Sequence, residues 1–409
     1  MSDIVKVHNN FDGFYGVGVL LASILPSLGI ILVPHHNVIL YPEYWYEIIF
    51  LTLGFFYLIT MNNVLSSETV LNYSHDDRAR IILSLCLVAT LSTTIVTSLV
   101  HLVWSFGLGY NSPMPFVGYF ILYFVTLILN AVFWNAFPLY ERMQPNFRRR
   151  LKYFFLYLFW CIFFACQVQS FTIVLGLFSS TYQWTIAIFV PLTKELNERV
   201  LRKLVEKAQK PGDIAPKVVV KATTNTFLSY WLAVSMATTA TQETCYLLLG
   251  INFAINIYLC FKTIHLDRKI SPLDGSSEEI ESIKEECLTE LILNEIIEVI
   301  VPISFVCTSS IAYYGPNAMV LGIVGNDYWQ YEKVTNFQNL ILPVVKMAGI
   351  DSLSALIVGC LFWKYSRICL IQEYYRTIKT YWLLLAVKAA NCIYGVSQTF
   401  ANGSSKFYG

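Results

Sequence analysis

Charge is what this 409-residue chain has least of: Asp, Glu, Lys and Arg make up 13% of it, against roughly 25% of an average soluble domain. A large soluble domain must still cover its outside with charged groups, so the shortage excludes that class. With 28 basic and 27 acidic residues the net charge is +1, and no field of one sign exists to draw nucleic acid. Catalytic signatures are missing too. There is no glycine-rich phosphate loop, no HExxH and no G-x-S-x-G, and the six histidines form no ligand pair within an apolar run. None of the ten cysteines makes a CxxC pair, which removes zinc ribbons and dithiol redox motifs. The sequence therefore predicts a protein that is not an enzyme and carries no cofactor or metal.

What the chain has in abundance is apolar surface: 56% hydrophobic residues, 15% aromatic and a mean hydropathy of +0.55. A membrane helix needs about 20 mostly apolar residues. That template fits near 16–34, 46–62, 81–104, 115–138, 153–178, 182–195, 222–240, 244–262, 290–312, 340–363 and 381–399. The predicted fold class is all-α: a polytopic integral membrane protein of about eleven transmembrane helices in one bundle, a single domain over 1–409. No small-residue cleavage site follows the first apolar stretch, so that span is expected to be an uncleaved signal anchor.

Lysine and arginine set the threading, because they are retained on the cytoplasmic side of short loops. With the N-terminus inside, 24 of the 28 fall in inner segments, two in outer segments (Lys333, Lys406) and two within spans (Lys346, Lys388). This predicts a cytoplasmic N-terminus and an extracellular or lumenal C-terminus, in the plasma membrane or an internal membrane of the secretory pathway. Residues 194–221 and 263–289 are expected to form short cytoplasmic helical extensions. Residues 313–339 form the longest outer segment, with Tyr313, Tyr314, Tyr328, Trp329 and Tyr331 suited to an interfacial aromatic belt.

Ionisable groups inside a span are costly unless they face other helices, water or a partner, so they mark candidate pathway residues. The ninth span carries Glu290, Asn294, Glu295 and Glu298, of which the first, second and last are spaced by four and share one helix stripe. Lys346 and Asp351 lie in the tenth span and Lys388 in the eleventh, where Asn391 continues a polar stripe. Internal pairing of these acids and lysines is one expectation, a polar pathway between the last three helices the other. Thr241, Gln242 and Glu243 gather oxygens at the turn between spans seven and eight, with Asn252 and Asn256 following on one face of span eight. They would suit a cation or polar ligand; interhelical hydrogen bonding is the simpler alternative. Pro191 and Pro302 are candidate hinges, since a helix-interior proline frees a carbonyl and kinks the chain. Past Pro191, the charged face holding Lys194, Glu195 and Asn197 is expected to meet water in an inner vestibule.

The function these features predict is movement of an ion or small polar solute through the bilayer, as a channel or secondary transporter. A polytopic receptor or ligand-gated chemosensory channel is the alternative, and a structural subunit of a larger membrane complex the third reading. The partners expected are the lipid bilayer and the small ion or solute, with no nucleic acid, the chain acting alone or as a homo-oligomer.

Overall fold

A computed structural model describes residues 71, 88, 90–103, 128, 131–132, 134–137, 139–177, 179, 182–209, 215–238, 242–269, 277–314, 337–366 and 369–404. Every regular element among them is helical: α1 (Thr90–Leu102), α2 (Leu139–Met143), α3 (Pro145–Leu177), α4 (Gln183–Ala208), α5 (Ala215–Thr238), α6 (Gln242–Lys269), α7 (Ser277–Tyr314), α8 (Phe337–Tyr365) and α9 (Leu370–Ser404). The expected spans at 16–34 and 46–62 lie outside the described residues, as do Thr241 and most of the outer segment 313–339.

Local chemistry sets several boundaries. Pro145 opens α3, where its missing N–H costs nothing. Glu243 and Glu373 sit in the first turns of α6 and α9, and Lys207 and Lys364 in the last turns of α4 and α8, each complementing the helix dipole. Gln209 ends α4 in an extended conformation with its N–H donating to the Val205 carbonyl, just before Pro211.

Four stretches among the described residues are long and apolar enough to cross a membrane: Pro145–Val168, Glu243–Arg268, Ile283–Ile311 and Ile341–Tyr365. They coincide with the fifth, eighth, ninth and tenth spans expected from sequence. The sixth, seventh and eleventh fall on α4, α5 and α9, which carry too many charged or polar residues along their length to qualify. Large apolar side chains lie on the outside of the bundle. Leu156, Phe159 and Phe163 on α3, Tyr258 and Phe261 on α6, and Leu353, Leu356 and Trp363 on α8 are all exposed. An apolar surface of that extent requires lipid or protein cover.

The helix α7 is the axis of the bundle. It packs against α5, α6, α8 and α9, and 67% of its apolar stretch is enclosed, compared with 28% for that of α8. Its 38 residues run roughly 57 Å at about 1.5 Å per residue. Apolar cores flank it at two levels, one around Trp231, Phe305 and Met347, the other around Leu291, Ile292, Val358 and Phe362. The segments expected as cytoplasmic extensions are parts of these same helices, and Lys284 ties α7 to Asp267 on α6 at 2.9 Å.

The prolines do not break their helices: α4 runs on through Pro191, α7 through Pro302 and α8 through Pro343. The one interruption of helical backbone inside a described helix is at Tyr381 of α9 (φ −114°, ψ 16°), where the eleventh span was expected to begin. Tyr381 is buried, so packing rather than a breaker residue holds the bend.

Candidate functional site

Two charged layers are stacked inside the bundle. The lower one joins α4, α5 and α7. Glu198 of α4 accepts from Arg202 at 2.8 Å, one turn along its own helix, and from Lys221 of α5 at 3.2 Å. Arg202 reaches across to Glu286 at 3.3 Å and also binds Glu290, both on α7. Lys217 of α5 completes the set by pairing with Glu286 at 2.9 Å. Burial alone would raise the pKa of Glu198, but Lys221, Lys194 and Arg202 outweigh it and hold the carboxyl at about 2. For Arg202, burial opposes the charge, and Glu290 and Glu198 overcome it and raise its pKa above the usual arginine value.

The upper layer is built on α7, α6 and α8. Glu298, 2% exposed, accepts from Asn256 at 2.8 Å and from Asn294 at 2.6 Å. Asn294 also donates to the Asn256 carbonyl oxygen at 2.5 Å, and Asn252 adds a hydrogen bond to Glu298. One turn before Glu298, Glu295 is 1% exposed and takes the Ser354 hydroxyl of α8 at 3.4 Å. Asp351, 3% exposed, enters from α8. Its electrostatic neighbours are carboxylates: Glu298 acts on Asp351, while Glu298 and Asp351 both act on Glu295. Lys194 and Lys221 lie within electrostatic range of Glu298 from below, and so link the two layers.

The charges do not cancel between the layers. Lys194, Lys217, Lys221 and Arg202 balance Glu198, Glu286, Glu290 and Glu298. Glu295 and Asp351 remain, and neither has a cation among its electrostatic neighbours. Three oxygens in this layer have no hydrogen-bond partner: Glu295 Oε2, Asp351 Oδ2 and Asn294 Oδ1. All are acceptors. Among the described residues no group of three or more His, Cys, Asp or Glu is arranged to hold a metal ion.

Of the residues singled out in the sequence, the fold brings together Glu298, Asp351, Asn252 and Asn256, with Glu290 in the layer below. It separates the rest. Lys346 lies exposed on α8, five residues and therefore about 140° around the helix from Asp351. Lys388 is buried on α9 beside Cys161 of α3 and Cys392, and Asp351 is not among its electrostatic neighbours. Glu243 is exposed at the start of α6, and Gln242 and Asn391 are placed on α6 and α9. The helix after Pro191 is not a water-facing surface throughout: Glu195 and Arg199 are exposed, whereas Lys194, Asn197 and Glu198 turn inward. Asn197 accepts from Trp160 at 2.9 Å and donates to Gln167 at 2.9 Å, both on α3.

The sequence reading did not single out Glu198, Lys221 or Arg202, or the polar stripe of α5. Its signal was present: Lys217, Lys221, Asn225 and Ser229 repeat every four residues, and the last three are buried. Both polar atoms of the Asn225 side chain lack partners. No protein-family model, no curated protein and no solved structure matches the chain.

Proposed function

We propose that the chain is an integral membrane protein that moves an ion or small polar solute across the bilayer, as a channel or secondary transporter. One observation carries this reading: ionisable groups run from the half-buried Lys217 and Glu286 through the buried Glu198, Lys221 and Glu298 to Asp351, ending in carboxylates that no cation neutralises. Buried acids of this kind are costly in an apolar interior and mark ion or proton routes in membrane proteins. The exposed apolar faces of α3, α6 and α8 supply the lipid contact. In this reading the described helices belong to an eleven-span bundle threaded with its N-terminus in the cytoplasm and its C-terminus outside, as the 24 to 2 bias of positive charge favours.

The test is reconstitution of the purified protein in liposomes, recording currents and tracer flux. A transporter gives saturable flux and a channel gives unitary currents. Glu298→Gln should reduce either one while the protein still purifies as a single species. A chain that gives neither signal is a receptor or a structural subunit, and the transport reading is then wrong. Tags on the two termini check the threading; finding both on one side refutes an odd number of spans.

A further inference from the structure

We propose that Glu295 and Asp351 form a proton-binding site, so that the transported species is a proton or moves coupled to one. This rests on the transport reading and specifies its ion. The geometry argues for a proton by elimination of charge and by donor count. After the four cations are matched to four carboxylates, two acids are left, Glu295 on α7 and Asp351 on α8, each within electrostatic range of Glu298 and with no cation among its neighbours. The unpartnered oxygens of Glu295, Asp351 and Asn294 are all acceptors, on side chains at most 3% exposed. A buried acceptor without a donor forfeits the full cost of its desolvation. A proton on Asp351 Oδ2 or Glu295 Oε2 neutralises one charge and turns that oxygen into a donor. Asn294 is independent of the acids in this respect: its amide nitrogen is used by Glu298 and Asn256, and its oxygen still wants a donor. A metal ion is usually held by several converging ligands, and the described residues offer no such group of three or more His, Cys, Asp or Glu; a proton needs one oxygen.

Other titratable groups reach the site from every packed side. Lys194 of α4 and Lys221 of α5 act on Glu298. Cys260 of α6 lies near Glu295, and Tyr374 of α9 lies near Glu295 and Glu298 with its hydroxyl buried and without a partner. Protonation takes the proton from hydronium at the aqueous end of the ladder, forms one O–H bond on the carboxyl and leaves water. Release reverses this on the other side, with no oxidant or co-reactant.

The measurement is proton release by the full-length protein in lipid nanodiscs on an alkaline pH jump, with infrared spectra of the carboxyl C=O stretch. The wild-type protein should show a protonated buried carboxyl at neutral pH. Glu295→Gln and Asp351→Asn should each reduce the protons released by about one per chain and remove part of that band, because one carboxyl binds one proton. Ser352→Ala, which removes an exposed hydroxyl that does not titrate, is the control and should release as many as wild type. Unchanged release in both acid variants overturns the proposal. So does expulsion of the same protons when sodium replaces choline, which would make the site one for a metal cation. No gradient is needed, so the outcomes separate: proton release with no liposome flux removes transport and keeps the site, while flux without proton release does the reverse.

Discussion

On α7, Glu286 and Glu290 take cations as partners, whereas Glu295 and Glu298, one to two turns further along, take amides and a hydroxyl. The same residue type on the same helix thus serves two ends. In the lower layer each carboxylate is matched by Arg202, Lys217 or Lys221, and the result is a cross-brace joining α4, α5 and α7. In the upper layer the hydrogen bonds fix where Glu298 and Glu295 point, Lys194 and Lys221 act on Glu298 from below, and the charges of Glu295 and Asp351 go unanswered. Matched charges hold helices together; unmatched ones are free to change state. That division predicts that mutations below act on stability and mutations above act on ion handling.

The strongest way to break the comparison is Arg202→Met. It strands Glu198 and Glu290, and losing one partner of a buried ion pair costs about 3 to 5 kcal/mol. Little folded protein should be recovered by size-exclusion chromatography, and a well-behaved variant would show that the lower layer is not a brace. Next in size is the acid limb of stability. The Glu198 pKa is depressed in the folded protein from 4.5 to about 2, so its contribution is complete above the unfolded value and is lost as pH falls from 4.5 to 2. The linked free energy is about 3 kcal/mol at most. Thermal melts of wild type and Glu198→Gln should therefore differ at neutral pH and converge near pH 2; a gap independent of pH would refute the assignment.

Glu295→Gln should do the opposite of Arg202→Met. Removing a charge that no cation balances should change the unfolding free energy by no more than about 1 kcal/mol, measured by denaturant titration, while flux falls. A large loss of stability would place Glu295 with the structural acids. The smallest effect sharpens the boundary of the site. Lys388 and Asp351 are not among each other's electrostatic neighbours, so Lys388→Met and Asp351→Asn should be additive within about 0.5 kcal/mol in a double-mutant cycle. A larger coupling would mean that Lys388 answers the unmatched acid after all.

The sequence exposed the part of the site that lies within single helices. Glu290, Asn294 and Glu298 repeat every four residues, and Asn252 and Asn256 do the same, so their alignment follows from helix geometry alone. The buried Asp351 was also marked by its place in an apolar run. Contacts between helices were not legible, because the spacing of Glu198 and Lys221 says nothing about which faces meet. Of the expected water-facing residues Lys194, Glu195 and Asn197, only Glu195 is exposed; the packing of α3 and α5 against α4 turned Lys194 and Asn197 inward. Lys388 and Asp351 invited pairing by charge and depth, yet Lys388 ends up against α3. Pro191 and Pro302 advertised kinks that do not interrupt α4 or α7, whereas the bend at Tyr381 has no proline or glycine beside it to announce it.

The central place of α7 has a consequence for how the protein is made. A chain synthesised from its N-terminus presents α4 and α5 before α7, and α8 and α9 after it. When α7 follows, Arg202, Lys217 and Lys221 are already present to receive Glu286 and Glu290. Glu295 and Glu298 find only the asparagines of α6; Ser354 and Asp351 arrive with the following helix. A nascent chain stopped before α8 would therefore hold α7 by the ion pairs of its lower half and by Asn256 of α6, with Glu295 lacking its Ser354 partner.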